Sequence, residues 1–144
     1  MFGIVNFRKD KIFEVNSKEE NKMMSYRFQN NTYTIVFSGH LYNIYELKEI
    51  LNRKSFEIET NNETEILVKL YIVIGKEFIN RLNGVYSFAI WNDKEKELFV
   101  VRDRFGLEPL YYSMKNGSFV FASSIKEILN NFEIKAQVDN TRNL

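Results

Sequence analysis

The sequence predicts an α+β domain in which antiparallel sheets are layered against helices, not a parallel sheet threaded by βαβ units. Three observations predict it. Two pairs of β-rich runs, 85–91 with 97–101 and 110–113 with 118–122, are each joined by a hairpin-length turn. Two amphipathic helical stretches, 42–53 and the run that follows Asn62, stand next to each other in the middle of the chain. The order is therefore strands, two helices, strands, helix, with the helices segregated from the strands.

Taken in order, residues 2–7 (FGIVNF) form a short buried strand, and 11–15 pairs with it across a turn at Lys9 and Asp10. Residues 16–31 are polar and read mostly as loop, with a short strand as the alternative at 23–28. Residues 32–37 (TYTIVF) are β-branched and aromatic, as a half-buried pleated surface favours, and Ser38-Gly39-His40 breaks that strand. In 42–53, Ile44, Leu47, Ile50 and Leu51 recur on one helical face. Residues 56–59 alternate like a short strand. Asn62 caps the next helix, with Glu65 as its reciprocal partner, and Ile66, Leu67, Leu70, Val73 and Ile74 make the apolar stripe. Gly75 ends or kinks this helix, and Asn83-Gly84 closes the unit.

The first hairpin turns at Asn92-Asp93-Lys94-Glu95 and the second at Lys115-Asn116-Gly117, where Asn-Gly is the favoured two-residue turn. Ser123 caps a last short helix over 124–129. One domain spans 1–131, and the polar residues 132–144 read as a linker.

Composition narrows the function. The chain has 144 residues, 44% of them hydrophobic, with 13 Phe and 8 Tyr, which is globular composition. At that length folding removes about 70% of the unfolded chain's surface from water, enough for a sizeable core. Net charge is +1, from 20 basic and 19 acidic residues of interspersed sign, so no basic stripe invites nucleic acid or an acidic membrane. The absence of cysteine excludes disulfides, thiolate metal sites and a thiol nucleophile. No His/Asp/Glu cluster has metal-ligand spacing, so no metal site is expected. The opening MFGIVNFRKD is not a secretory signal, and no apolar run has membrane-spanning length, which makes the cytoplasm the expected location.

Five segments in succession are more informative than any of these numbers: 36–43 (VFSGHLYN), 62–67 (NETEIL), 82–91 (LNGVYSFAIW), 102–112 (RDRFGLEPLYY) and 121–126 (FASSIK). Together with Gly3-Ile4 they resemble the class II glutamine-amidotransferase domain of asparagine synthetases. The resemblance covers residues 37–129 well. It implies the N-terminal-nucleophile hydrolase fold, a four-layer sandwich of two stacked antiparallel sheets flanked by helices. It also implies a chemistry in which a cysteine directly after the initiator methionine attacks the glutamine side-chain amide, with its own α-amine as base. The ammonia then passes to a second, ATP-using synthetase domain. That domain would begin at about 132–144. On this resemblance no cofactor belongs to this chain, ATP and Mg being expected only in the missing synthetase domain. The expected partner is an ATP-pyrophosphatase-type synthetase domain or protein, and a homodimer is a further option.

Carried over residue by residue, that chemistry fails at four places. The nucleophile position is occupied by Phe2, which has no lone pair to offer and would fill the slot; its bulk also disfavours trimming of Met1. The Asn-Gly-Glu of the oxyanion slot reads Ser38-Gly39-His40, so Gly39 keeps its N–H while Ser38 is shorter than asparagine. Losing one such donor costs about 10²–10³ in rate. Of the acids that hold glutamine's α-amine, one is replaced by His40 and the other is retained as the longer Glu63. The Arg-Gly-Pro-Asp segment next to the carboxylate-binding arginine is missing, and Arg27 is the nearest substitute. There are thus no catalytic residues to name, and Ser38, Gly39, His40 and Glu63 are vestigial oxyanion and substrate-binding positions.

Plainer readings stand beside these. His40 is a polar turn residue, Arg102-Asp103-Arg104 a salt-bridged strand end, and Ser123-Ser124 a helix cap. Three functions remain open on sequence. The leading one is an inert amidotransferase-like domain that supports or docks an amide-forming synthetase. The others are an active glutamine-hydrolysing domain supplying ammonia for asparagine synthesis, and a non-enzymatic binding module reusing the pocket.

Overall fold

The computed structural model describes residues 1–7, 12–58 and 60–131. The expected turn at Lys9 and Asp10, the end of the 56–59 run and the 132–144 linker lie outside these residues.

The described chain forms two four-stranded antiparallel sheets. The first has the order β2-β1-β8-β7, from β1 (Phe2–Asn6), β2 (Ile12–Asn16), β7 (Tyr111–Lys115) and β8 (Ser118–Ala122). The second has the order β3-β4-β5-β6, from β3 (Met23–Phe28), β4 (Asn31–Leu41), β5 (Gly84–Asn92) and β6 (Glu97–Arg102). Helices α1 (Ile44–Arg53) and α2 (Glu63–Ile74) cover the outer face of the second sheet, and α3 (Ile125–Asn131) covers the outer face of the first. A 3₁₀ helix, Lys76–Arg81, returns the chain from α2 to β5.

Side-chain alternation explains the layers. On β4 and β5, Ile35, Phe37, Phe88 and Ile90 face the helices, where they meet Leu47, Leu51, Ile66, Leu67, Leu70 and Phe78. All ten side chains are essentially buried, each contributing about 1.5–3 kcal/mol relative to exposure. The intervening Val36 and Ala89 point the other way, into an inter-sheet layer with Met1, Phe121, Phe13 and Phe119. Phe13 stacks on Trp91 with centroids 5.4 Å apart, joining the two sheets. Gly3 is required here, since a Cβ on it would sit 2.3 Å from the Phe121 ring. Phe2 and Ile4 face away from this layer and pack with Val120, Ala122 and Ile128 under α3.

Several expectations are corrected. Ser38-Gly39-His40 does not break β4, which pairs with β5 from Tyr33↔Asn92 to Leu41↔Gly84. Gly39, at φ +106°, absorbs the irregularity there; a Cβ would lie 2.0 Å from the Val85 carbonyl oxygen. In the polar stretch 16–31 the strand alternative holds: 23–28 is β3, an edge strand whose alternate residues Met24, Tyr26 and Phe28 are half-buried. Residues 56–58 are not a strand; Phe56 packs on the Phe28 ring at 5.4 Å. Asn62 does cap α2, accepting from the Thr64 N–H at 3.0 Å, but Glu65 turns to Thr60 and Lys69 instead of closing a capping box. The cap of α3 is Ser124, whose hydroxyl accepts from the Glu127 N–H at 3.2 Å. Its neighbour Ser123 bonds the Met1 ammonium at 3.1 Å.

Candidate functional site

The end of β4, the start of α2 and the loop after β6 converge at one end of the sheet sandwich. Three of the sequence-nominated residues, Ser38, Gly39 and His40, are consecutive on β4, and Glu63 is brought to them by the first turn of α2. Glu63 is well placed for an anionic side chain, because the N-terminus of a helix favours negative charge. Its Oε1 accepts the Leu41 N–H at 2.7 Å and lies 3.8 Å from Nδ1 of the exposed His40. Its Oε2 accepts from Lys22 Nζ at 2.7 Å.

Lys22 went unnoticed in the sequence, where it sits in the polar stretch before β3. Its ammonium also donates to the Gly39 carbonyl at 2.9 Å and lies 4.5 Å above the Phe37 ring. The Lys22 and Glu63 side chains are only 13% and 15% exposed, so this pair is shielded from solvent screening.

On the other face of β4, Ser38 is buried, and its hydroxyl donates to the Glu108 carboxylate. Glu108 is the second residue that sequence reasoning passed over, although it lies in the segment 102–112 that carried the resemblance. It is delivered by a tightly tied loop. The Asp103 carboxylate accepts the N–H groups of Phe105, Leu107, Glu108 and Tyr86 at 3.1–3.4 Å. Arg102 clamps the same loop by donating to the Gly106 carbonyl at 2.6 Å and the Glu108 carbonyl at 2.8 Å. Ser87, opposite Ser38 on β5, donates to the Pro109 carbonyl at 3.3 Å. The expected ion pairing of Asp103 with its flanking arginines is therefore replaced by backbone donors. Burial pushes the Asp103 carboxyl up, but the backbone N–H groups of Glu108, Leu107, Tyr86 and Phe105 outweigh it and hold it below the usual aspartate range.

Two nominated residues are not brought into this cluster. Phe2 does not fill a slot between the sheets; its ring belongs to the layer under α3. Arg27 is exposed on β3 opposite Thr32, which is seven residues from Gly39 along β4, or about 23 Å at the usual strand rise. Among the described residues, no group of three or more His, Asp or Glu side chains could hold a metal ion. No helix among them is long and apolar enough to cross a membrane.

A sequence model of the glutamine amidotransferase domain matches residues 9–143. The chain belongs to that family. Among curated relatives of this amidotransferase-family domain, asparagine synthetase [glutamine-hydrolyzing] 3 of Bacillus subtilis (strain 168) is 39% identical over 118 residues, covering 82% of this chain and 19% of the relative. Asparagine synthetase [glutamine-hydrolyzing] 1 of the same organism is 36% identical over 123 residues, covering 85% and 19%. The domain thus spans about a fifth of the length of these relatives, 19% in both. Among solved structures, the glutamine phosphoribosylpyrophosphate amidotransferase from B. subtilis, complexed with ADP and GMP, superposes with a TM-score of 0.64 at 27% identity, covering 73% of this chain and 25% of that one. The two stacked antiparallel sheets with flanking helices are the N-terminal-nucleophile hydrolase architecture that these amidotransferases share.

Proposed function

We propose that this amidotransferase-family domain hydrolyses no glutamine and serves instead to support or dock an ATP-dependent, amide-forming synthetase domain, on the same polypeptide or a separate one. The observation that carries the reading is the Lys22 ammonium on Glu63. Glu63 stands where the family holds glutamine's α-ammonium, and an ammonium of the chain itself already sits on it, at 2.7 Å. A glutamine molecule would have to displace Lys22 and leave a shielded cation without its carboxylate. Breaking such a pair costs about 3–5 kcal/mol when fully buried, which offsets much of what a small ligand gains.

Two further features support the reading. An oxyanion slot needs donors aimed at developing negative charge. Here the Ser38 hydroxyl is committed to Glu108, and the carboxylate it holds there would repel an oxyanion. With Phe2 at the head of β1 there is also no oxygen or sulfur in position to form an acyl intermediate. In this reading ATP and magnesium belong to the synthetase partner, and the setting is the cytoplasm.

A glutaminase assay on the purified chain at millimolar glutamine tests the proposal. Glutamate release should match the no-protein control. Release above that control, lost on mutation of Ser38 or Glu63, would overturn it.

A further inference from the structure

The loop between β6 and β7 has two faces of different chemistry. Inward, it sends the acids Asp103 and Glu108 onto backbone N–H groups and Ser38. Outward, it presents Phe105 at 83% and Leu107 at 65% exposure, flanked by the exposed Arg102 and Arg104. The loop then feeds β7, the terminal strand of its sheet, where Tyr112 and Met114 are 71% and 67% exposed. Exposed apolar side chains on a floppy loop would mean little. These are held on a loop fixed by the four-donor grip of Asp103 and the two-carbonyl clamp of Arg102. A rigid backbone presenting an aromatic tip loses little entropy when a partner covers it, which is what interface anchors require. An uncovered edge strand flanked by Tyr and Met is otherwise an aggregation liability.

We infer that Phe105, Leu107, Tyr112 and Met114 form the docking surface for the synthetase domain, and that the matching surface on that partner is apolar with a rim of carboxylates. The inference rests on the proposed function above and names the face through which it acts. Charge selects the occupant. Beside Phe105 opens a cleft of 530 Å³ to which Arg102 and Arg104 contribute, while its one carboxylate, Asp103, is buried and spent on backbone donors. Arg104 makes no hydrogen bond or ion pair among the described residues. A second copy of the chain docking through the same patch would set arginines against arginines, because a two-fold interface places like on like.

The test is site-specific photocrosslinking in the cells that produce the protein, with benzoylphenylalanine in place of Phe105 and, as control, in place of Tyr45, an equally exposed residue of α1 on the opposite layer. Position 105 should yield one dominant adduct whose peptides are acidic and belong to an ATP-dependent amide-forming synthetase domain, whether on another polypeptide or further along this one. Arg104→Glu should lower that yield about tenfold or more without changing the melting temperature. An adduct between two copies of this segment, an adduct on a protein without such a domain, or a yield no higher than at position 45 would each overturn the assignment. Glutamate release in the glutaminase assay would end the inert reading and leave a positive crosslink intact, so the two failures are distinguishable.

Discussion

Replacing Lys22 by methionine isolates the interaction on which the functional reading turns. The methionine keeps the apolar stem over Phe37 and removes two charge-assisted hydrogen bonds, 2.7 Å to Glu63 and 2.9 Å to the Gly39 carbonyl. Such bonds are worth about 1.5–3 kcal/mol each. Glu63 keeps its bond from the Leu41 N–H and a sliver of solvent, so the net loss should be about 2.5 kcal/mol. At about 2.1 cal/mol/K of unfolding entropy per residue, that lowers the melting temperature by about 8 °C for this chain. Glu63→Gln retains an acceptor for Leu41 while removing the charge. The double variant Lys22→Met/Glu63→Gln should then be little worse than Lys22→Met alone, giving a coupling of about 1.5 kcal/mol. Urea unfolding of the four proteins at neutral pH measures this cycle. Additivity within about 0.5 kcal/mol would refute the argument, because it would mean that the two charges do not sustain each other and that the seat on Glu63 is open.

Other expectations follow from the same geometry. Gly39→Ala forces a side chain to φ +106° and against the Val85 carbonyl, and should cost about 3 kcal/mol in chemical denaturation, with the far-UV spectrum retained. Leu70→Ala empties a fully buried position between α2 and the second sheet and should cost about 3 kcal/mol by the same measurement. The Asp103 carboxyl is held below its ordinary value of 3.8, so its contribution is present above that pH and lost as pH falls through the lower folded-state value. Asp103→Asn should therefore be less stable than wild type at pH 7 yet show a flatter decline below about pH 4 in an acid titration followed by tryptophan fluorescence.

How far the sequence carried depended on where the physics was local. The Asn116-Gly117 hairpin was legible because both residues take positive φ, 52° and 76°, which that dipeptide does at little cost. The α1 stripe was legible because Leu47 and Leu51 recur at one helical spacing and both are fully buried. β3 read only as the alternative to a loop because an edge strand exposes every second residue, here Met23, Ser25 and Arg27. The continuation of β4 through Gly39 was hidden because its cause is pairing with β5, where Gly39 faces Tyr86, 47 residues further along the chain. Ser38, Gly39, His40 and Glu63 lie together where β4 ends and α2 begins. What occupies this cluster, Lys22 from one loop and Glu108 from another, depends on tertiary contacts spanning 41 and 70 residues, which no local pattern encodes.

The first sheet has β1 wedged between β2 and β8, with Phe2 opposite Ala122. Of the strands in the two sheets, β1 is thus made before any other, and one of its two neighbours, β8, after all the others. During synthesis the contiguous stretch from β3 to β6, with α1 and α2, has all its strand partners within itself and can mature while the chain is still being extended. Strand β1 must wait, half-paired, until the β7–β8 hairpin emerges, so the second sheet serves as the platform on which the first is assembled.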